Sequence, residues 1–533
     1  MTTSTASTEL DAVIVGAGFS GLYGLHKLRG LGLHARVFEA GTGLGGTWFW
    51  NRYPGARCDV ESMEYSFKFD EALQQEWVWS ERYSTQPEIL RYLNHVADRF
   101  DLHRDITLET RVTEAHFDEQ AGRWNVRTDR GDRVAAKFCI MATGCLSSTN
   151  TPRFPGLDAF AGRVFHTGQW PQEPVEFSGR RVGIIGTGSS AIQAIPIIAE
   201  QARHLFVFQR TPNYSVPAQN GPLDLEMQGR IKARYGELRR LGSQMPFGFD
   251  VKLNEKSALG VSDEERQAEY EQRWVHGGLP FLGAYADLLF SKEANETAAE
   301  FLRLKIREIV RDPEIVALLS PQDVVGCKRL CSDTGYFETF NRSNVTLIDV
   351  KSALIEAITP TGLRTVKQEY AFEDLILATG FDAMTGSLLR IDIRGVGDAT
   401  LAERWAEGPC TYLGLSTVGF PNLFMITGPG SPSVLSNMVG SIEQHVEWIA
   451  DCIAHLRAHG LSCIEATPEA QRDWVAHVNE VADSTLYPRC NSWYSGANVP
   501  GKPRVFMPYL GFPQYVEKCN QVAAAGYEGF RLG

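Results

Sequence analysis

The sequence predicts an α/β fold in which one unit, a strand followed by a glycine-rich turn and a helix, occurs twice. The first copy reads DAVIVGAGFSG over residues 11–21, and the second reads RVGIIGTGSSA over residues 181–191. A third observation is that residues 216–327 lack this alternation and contain runs with helical periodicity. We therefore expect two Rossmann-like dinucleotide-binding domains with a helical insertion.

The first glycine-rich turn has the GxGxxG spacing of a dinucleotide site. Its glycines are Gly16, Gly18 and Gly21, between an apolar run and a helical run. The first permits a tight turn, the second lets a pyrophosphate approach the backbone, and the third lets the helix pack on the strand. The N-terminus of that helix then faces the phosphates with its partial positive charge.

A second strand, HARVFEA, ends near Glu39, eighteen residues after Gly21. A carboxylate at this place accepts hydrogen bonds from ribose hydroxyls and repels a 2′-phosphate. GxGxxG alone is weak evidence because glycine-rich turns are common, but strand, helix and acid together are specific. The first site therefore suits FAD or NAD.

The second unit ends its second strand, HLFVFQRTP, without an acid. Gln209 stands where the first unit has Glu39, and Arg210 and Thr211 follow it. A guanidinium beside a hydroxyl can bind a 2′-phosphate in forked geometry, so this site favours NADPH over NAD. The alternative makes Arg210 a plain surface residue. The small residues of this turn are Gly186, Gly188 and Ala191.

Two sites with opposed preferences indicate electron transfer from NADPH to a flavin. After each unit, an apolar strand ends in Ala-Thr-Gly, in FCIMATG and in LILATGF, and leads the chain out of the domain. These strand ends divide the chain into five segments. We expect an FAD-binding domain over 1–144 and 386–533, an NADP-binding domain over 145–215 and 328–385, and a helical insertion over 216–327.

Composition excludes several other classes of protein. The 533 residues are too many for one ordinary core, and a net charge of −12 argues against a nucleic-acid partner. No apolar run approaches the ~18 residues that span a bilayer. The start, MTTSTASTEL, is expected to be a disordered tail and not a signal peptide. Ten scattered cysteines predict a reduced, cytoplasmic protein, in which Cys327 and Cys331 are ordinary thiols and not a metal site. We expect a monomer that binds no metal.

Residues 160–171, FAGRVFHTGQWP, carry a more specific pattern. They resemble the FxGxxxHxxxWP signature of type I Baeyer–Villiger monooxygenases, through Phe160, Gly162, His166, Trp170 and Pro171. The related N- and S-oxidising flavin monooxygenases share the first half but usually lack the Trp-Pro ending.

Further stretches are similar to the same family, so the resemblance runs from about residue 10 to residue 515. The loop GPGSPSVLSNM, residues 428–438, resembles the phenylacetone and steroid monooxygenase branch. Cys145 departs from that branch, which has glutamine there, so the size of the substrate stays open. The other similar stretches are GGTWFWNRYPGARCDVES (45–62), KRLCSDTGYFETFNR (328–342) and NSWYSGANVPGKP (491–503).

The resemblance implies a reaction. In this family reduced flavin and O2 give a C4a-peroxyflavin, which attacks a ketone, and the Criegee-type adduct rearranges to an ester or lactone. A fixed cation is needed to stabilise the oxyanion, and Arg329 matches the family's catalytic arginine. Asp59 matches the carboxylate that orients this arginine beside the flavin. By residue type alone, Asp59 could be a loop cap and Lys328-Arg329 a solvated charge pair.

The resemblance also implies two sets of cofactor contacts. The FAD contacts include the first glycine-rich turn, Glu39 and Asp59. The resemblance adds further FAD contacts, which are Ser20, Gly46, Thr47, Trp48, Tyr65, Val112 and Met438. The NADP contacts include the second turn, Arg210 and Thr211. The resemblance adds further NADP contacts, which are Arg57, Cys58, Ser189, Ser190, Lys328, Arg329 and a mobile-loop tryptophan, Trp493.

Some alternatives remain. His166 could act as a general base, but attack on a ketone requires no proton abstraction, so a structural or conformational role is preferred. An N- or S-oxidising monooxygenase is disfavoured by Trp170-Pro171 and by Arg329. A disulfide reductase would need a redox cysteine pair near the first unit, and the sequence has none there. The non-enzymatic alternative is a redox sensor that binds nucleotides without turnover.

Overall fold

Two sheets organise the computed structural model, which describes residues 8–533. In the first sheet the strand Thr8–Val15 lies between two parallel neighbours, Ala35–Phe38 and Arg133–Met141. Thr8, Glu9 and Leu10 already pair in this strand, so the prediction of a disordered tail is wrong for these three residues. The rest of that prediction falls on residues 1–7, which lie outside the described chain. The strand order is Asp392–Arg394, Val112–Asp118, Arg123–Thr128, Arg133–Met141, Thr8–Val15, Ala35–Phe38 and Ile106–Thr107, with Leu423–Met425 also paired to Arg133–Met141.

The second sheet is parallel throughout, as expected for strands covered by helices on both faces. Its strand order is Val345–Asp349, His204–Gln209, Arg181–Ile185, Asp374–Leu377 and Arg163–His166. Smaller sheets are Ser215–Pro217 with Cys331–Asp333, Ile355–Thr359 with Gly362–Thr365 and Glu369–Ala371, and Ile464–Ala466 with Phe530–Leu532. The predicted α/β class with two Rossmann-like units is confirmed.

Each glycine-rich turn packs on one of the Ala-Thr-Gly strand ends. Gly16 has φ +105°, and a Cβ on it would lie 2.6 Å from the carbonyl oxygen of Ala142. Gly186 has φ +116°, and its Cβ would lie 2.3 Å from the carbonyl oxygen of Ala378. An L side chain is therefore excluded twice at each position, by conformation and by space. This contact explains why the two motifs occur together in each unit.

Helices cover both sheets. The helical periodicity of residues 439–459 predicts one apolar face, and the structure confirms it. The residues of that face on the helix Met438–Ala458 are all buried: Val439, Ile442, Val446, Ile449, Ile453 and Leu456. Around the first sheet the helices are Phe19–Gly30, Thr47–Trp50, Glu71–Glu76, Gln86–Arg99, Gly386–Leu389, Leu401–Arg404, Met438–Ala458, Pro468–Asp483 and Phe512–Ala524. Around the second sheet they are Ser189–Gln201 and Tyr336–Thr339.

Residues 216–327 are helical, as their periodicity predicts. Ser262 caps one helix by accepting a hydrogen bond from Glu265 N, and Asp312 caps another through Glu314 N. Much of this region packs into the same hydrophobic cluster as the first sheet, through residues such as Tyr270. The helices are Leu225–Lys232, Tyr235–Ser243, Asp263–His276, Lys292–Ile309 and Pro313–Leu319.

The cysteine prediction needs a correction. Cys327 and Cys490 form a disulfide with their Cα atoms 5.6 Å apart, so Cys327 is not an ordinary thiol. The two residues are 163 positions apart in sequence, and only tertiary folding brings them together, so no local spacing could reveal the pair. Cys331 is a free, buried thiol, as expected.

Within residues 8–533, no helix has the length and apolar character needed to cross a membrane. The same part of the chain contains no group of three or more His, Cys, Asp or Glu side chains placed to hold a metal ion.

Candidate active site

A cavity of about 1170 Å³ is lined by residues of both nucleotide units and by the carboxyl-terminal region. It brings together segments that are far apart in sequence, and the carboxyl ends of the strands of the second sheet face it through Ile185, Phe208 and Ala378. The sequence-predicted site residues that line it are Thr47, Trp48, Arg57, Cys58, Asp59, Tyr65, Gly186, Gly188, Ser189, Ser190, Arg210, Thr211, Lys328, Arg329, Met438 and Trp493.

Eight of the predicted residues do not line this cavity: Gly16, Gly18, Ser20, Gly21, Glu39, Gly46, Val112 and Ala191. Gly18 and Gly46 nevertheless lie against each other, since a Cβ on Gly46 would be 3.0 Å from Gly18 Cα. This contact joins the first glycine-rich turn to the wall that carries Thr47 and Trp48. The Val112 side chain packs in the core under the first sheet, which leaves only its backbone for a ligand.

Glu39 is engaged by the protein backbone. Its carboxylate accepts hydrogen bonds from Ala17 N and Gly41 N, each at 2.7 Å. Burial raises the pKa of Glu39, and these backbone donors oppose the rise. These contacts hold the glycine-rich turn in place, and the expected hydrogen bond from a ribose to Glu39 stays a prediction.

Arg329 and Asp59 form a forked ion pair on the cavity wall. Arg329 Nε donates to Asp59 Oδ2 at 2.8 Å, and Nη2 donates to Oδ1 at 2.9 Å. Nη1 donates to the carbonyl oxygen of Val434 at 2.9 Å, so the guanidinium is fixed on three sides. Burial works to lower the pKa of Arg329, but the Asp59 carboxylate outweighs it and the pKa is raised. Arg329 therefore presents a permanent, oriented positive charge.

The loop that carries Asp59 is itself anchored. Cys58 N donates to the carbonyl oxygen of Ser84 at 3.1 Å, and Arg57 Nη1 contacts Glu81 Oε2 at 2.9 Å. On the other side, Arg329 lies just before the strand Cys331–Asp333, which pairs with Ser215–Pro217. The ion pair thus joins two fixed backbone segments, which preorganises it.

A second positive region lies at the end of the second nucleotide unit. Among residues 8–533, Arg210 has no ion-pair partner, and it is exposed. Burial lowers the pKa of Lys328, Asp323 at 3.5 Å partly offsets this, and Arg210 lowers it further as a nearby like charge. Gln209 points away, donating to the carbonyl oxygen of Leu318 at 2.8 Å. Clustered cations with so little acidic compensation favour an anionic ligand.

The two units are pinned together by contacts that sequence reasoning missed. Tyr53 OH donates to Gln193 Oε1 at 2.9 Å, and Gln193 Nε2 donates to the carbonyl oxygen of Arg57 at 3.1 Å. Tyr53 lies in a stretch that resembles the family, so that signal was present. Nothing in the helix Ser189–Gln201 marks Gln193, because its role depends on a partner 136 residues away.

His166 lies outside the cavity lining. Its Nδ1 accepts a hydrogen bond from Gly168 N at 3.0 Å, and its Nε2 lies 3.3 Å from Thr379 Oγ1. Burial lowers the pKa of His166, which favours the neutral ring. These contacts fit a structural role better than proton transfer to a substrate.

Trp493 begins a short 3₁₀ turn, Trp493–Ser495, and faces the cavity beside the buried Tyr494. The chain after it crosses to the opposite wall, where Asn498 Nδ2 donates to the carbonyl oxygen of Phe381 at 2.7 Å. Cys145 is buried in a cluster behind this wall with Met384 and does not line the cavity. The loop expected around Trp493 is thus a partly helical segment attached at several points.

Known proteins resemble this chain over its whole length. The family model of flavin-binding monooxygenase-like proteins matches residues 11–233. A Baeyer-Villiger monooxygenase of Pseudooceanicola batsensis is 44% identical, over 98% of this chain and 96% of its own length. A phenazine N-monooxygenase of Lysobacter antibioticus is 40% identical, over 98% of this chain and 97% of its own.

Among solved structures, an oxidised steroid monooxygenase bound to NADP is 55% identical with a TM-score of 0.95, covering 98% of this chain and 99% of that one. This agrees with the branch that the loop at residues 428–438 predicts. The identity and coverage of these relatives show that the chain belongs to the type I Baeyer–Villiger monooxygenases, a family of flavin-dependent monooxygenases.

Proposed function

We propose that this chain is an NADPH- and O2-dependent Baeyer–Villiger monooxygenase that converts ketones to esters or lactones. The observation that carries the proposal is the fixed Arg329–Asp59 pair in a cavity shared by two nucleotide units with opposite charge preferences. FAD belongs to the first unit and NADPH to the second. The ketone and O2 are the small-molecule partners.

The described residues fit both cofactors. Gly18 and Gly46 provide a side-chain-free approach to the backbone for a pyrophosphate, and Trp48 and Tyr65 provide aromatic walls beside it. A Cβ on Gly188 would meet nothing within 4 Å, so the second turn also leaves room for phosphates. When bound, FAD would take a hydride from NADPH and pass the electrons to O2.

The contribution of NADPH-binding residues is electrostatic. Arg210, Thr211 and Lys328 would hold the 2′-phosphate, with Ser189 and Ser190 at the N-terminus of the helix that faces the pyrophosphate. Trp493 would cover the nicotinamide half. These roles, and those of the FAD residues named from the resemblance, are part of the proposal.

Arg329 is the protein side chain that acts directly in the reaction. Its charge stabilises the negative charge that develops on the carbonyl oxygen of the ketone during attack. The Asp59 carboxylate keeps the guanidinium in one orientation, so no reorganisation is needed as that charge appears. No side chain has to remove a proton from the ketone, which agrees with the position of His166 outside the cavity.

The decisive test is product analysis. We expect the purified protein with FAD to consume NADPH and O2 with a panel of linear, cyclic and aryl ketones, and to form one ester or lactone for each NADPH consumed. Arg329→Ala should still oxidise NADPH but release hydrogen peroxide and form no ester. Release of peroxide alone by the unchanged protein with every ketone would contradict the proposal.

A second candidate is N- or S-oxidation, because one relative with this level of identity is a phenazine N-monooxygenase. The same assay separates the two, with a phenazine and an aryl sulfide as additional substrates. The Arg329–Asp59 pair favours the ketone, since stabilising an oxyanion is required there and not in oxygen transfer to nitrogen or sulfur.

We also propose the five-segment division into FAD-binding domain, NADP-binding domain and helical insertion given above. We propose a cytoplasmic monomer, which size-exclusion chromatography with light scattering would test. The Cys327–Cys490 disulfide is uncommon for that compartment, and its redox state in cells is therefore informative.

A further inference from the structure

The disulfide joins two walls of the cavity. Cys327 is followed directly by Lys328 and Arg329, and Cys490 is followed by Asn491 and, two residues later, by Trp493. All four of these following residues line the cavity. The bond therefore fixes the start of the Trp493 segment to the backbone that carries the oriented cation.

We define residues 491–503 as the tethered segment. Its far end is held by polar contacts to the opposite wall. Asn150 Nδ2 donates to the carbonyl oxygen of Asn498 at 2.9 Å, and Lys502 Nζ contacts Asp382 Oδ1 at 2.5 Å. One end is thus held covalently and the other by reversible contacts, and the segment crosses the cavity between them.

We propose that Cys327 and Cys490 form a redox-active pair that sets how firmly the tethered segment closes over the cavity. In oxidation, the two thiols each lose a proton and together lose two electrons to hydrogen peroxide, the S–S bond forms, and two water molecules result. In reduction, an external dithiol attacks one sulfur, forms a mixed disulfide, and leaves as its own disulfide while both thiols return.

Cys490 is the more accessible of the two cysteines, so we expect the oxidant or reductant to react with its sulfur first. Its side chain is partly exposed, whereas Cys327 is buried. Of the eight free cysteines in the described chain, six are buried, and the two partly exposed ones, Cys410 and Cys463, lie outside the cavity lining. Buried thiols react slowly, so the pair is the redox-sensitive position of this site.

The oxidant has a source within the proposed function. Turnover in which oxygen transfer to a substrate fails releases hydrogen peroxide beside this pair, so unproductive turnover would lock the segment closed. This regulatory part rests on the proposed function, whereas the existence of the bond and its effect on the segment do not.

The first experiment tests the bond. The protein is treated with hydrogen peroxide, alkylated under denaturing conditions without reductant, digested and examined by mass spectrometry. We expect eight alkylated cysteines and one linked peptide pair containing Cys327 and Cys490. Cys463→Ser, the matched control, should keep that linked pair. Ten alkylated cysteines in the oxidised protein would overturn the proposal.

The second experiment tests the effect on the segment. Arg489 and Arg504 flank it and are exposed, so trypsin can cut at both ends. We expect reduction to accelerate these cuts by about tenfold, and Cys490→Ser to be cut rapidly with or without reductant. Equal rates in the reduced and oxidised forms would overturn the proposal.

The third experiment connects the bond to catalysis. Reduction and Cys490→Ser should raise the KM for NADPH and the peroxide released per NADPH, while Cys463→Ser should change neither. If neither form consumes NADPH but the first two experiments succeed, the proposed function fails and the tether stands. If NADPH turnover is identical in both forms, the regulatory role is refuted.

Discussion

Asp59→Ala removes the carboxylate that orients Arg329 and leaves the rest of the cavity wall in place. In the structure this carboxylate accepts two hydrogen bonds from the guanidinium, at 2.8 Å and 2.9 Å. After the substitution Arg329 keeps only its bond to the carbonyl oxygen of Val434 and can rotate about it. We expect the cation to remain charged but to lose its fixed position.

The size of the effect can be worked from the geometry. Two unit charges about 4 Å apart attract by about 4 kcal/mol at an effective dielectric constant of 20. The Arg329 and Asp59 side chains are 22% and 25% exposed, so solvent screening reduces this value. If about 2 kcal/mol of that interaction is needed to hold the guanidinium at the developing oxyanion, ester formation slows by about thirtyfold.

The assay follows ester by gas chromatography and hydrogen peroxide by a coupled colorimetric reaction at saturating NADPH. We expect kcat for ester to fall by about thirtyfold while NADPH is still oxidised, so peroxide rises. Glu61→Ala is the matched control, because Glu61 also pairs with an arginine, Arg82 at 2.6 Å, but does not line the cavity. An equal loss in both variants, or full ester yield in Asp59→Ala, would refute the reasoning.

Three other predictions concern the second unit and stability. Replacing Arg210 and Lys328 together with glutamine should raise the KM for NADPH far more than that for NADH, and an equal loss would mean that the 2′-phosphate is not recognised there. Gly186→Ala should yield unfolded or insoluble protein, whereas Gly188→Ala should keep the wild-type melting temperature yet bind NADPH more weakly by fluorescence titration; the reverse order would contradict the geometry of the turn. Burial raises the pKa of Glu443 from 4.5 to about 7, so the protonated acid stabilises the fold below pH 4.5 and this contribution is lost as the pH rises through 7. The loss is roughly 3 kcal/mol, and urea unfolding of Glu443→Gln should lack it; parallel pH profiles for both proteins would disprove it.

Local spacing was sufficient for the nucleotide units. The small residues at the first, third and sixth positions of the turn, and the residue that ends the next strand, are set by the backbone of a single nucleotide unit. The same holds for the helix Met438–Ala458, whose buried stripe follows from the periodicity of one helix. Features that depend on one element are readable from the residues of that element.

Contacts between distant segments were not readable. The Cys327–Cys490 bond has no counterpart in any spacing, because only the tertiary fold places those thiols together. The two backbone donors of Glu39 were also not predicted, because they depend on the folded shape of the glycine-rich turn. The predicted ribose contact of Glu39 stays a prediction. The Arg329–Asp59 pair was expected only through the resemblance; by residue type alone, a loop cap and a solvated charge pair were the preferred interpretations.

The hydrophobic core of the first sheet is assembled from stretches that lie far apart along the chain, and this has a consequence for synthesis on the ribosome. Leu423–Met425 must pair with Arg133–Met141, and Tyr515 and Val522 enter the same cluster as Ala12. The core of the second sheet is nearly complete once residue 378 has emerged. We therefore expect the core of the second sheet to form first during translation, because the core of the first sheet needs the last residues of the chain. Truncation near the C-terminus would then leave the first sheet with an incomplete core beside a folded second sheet.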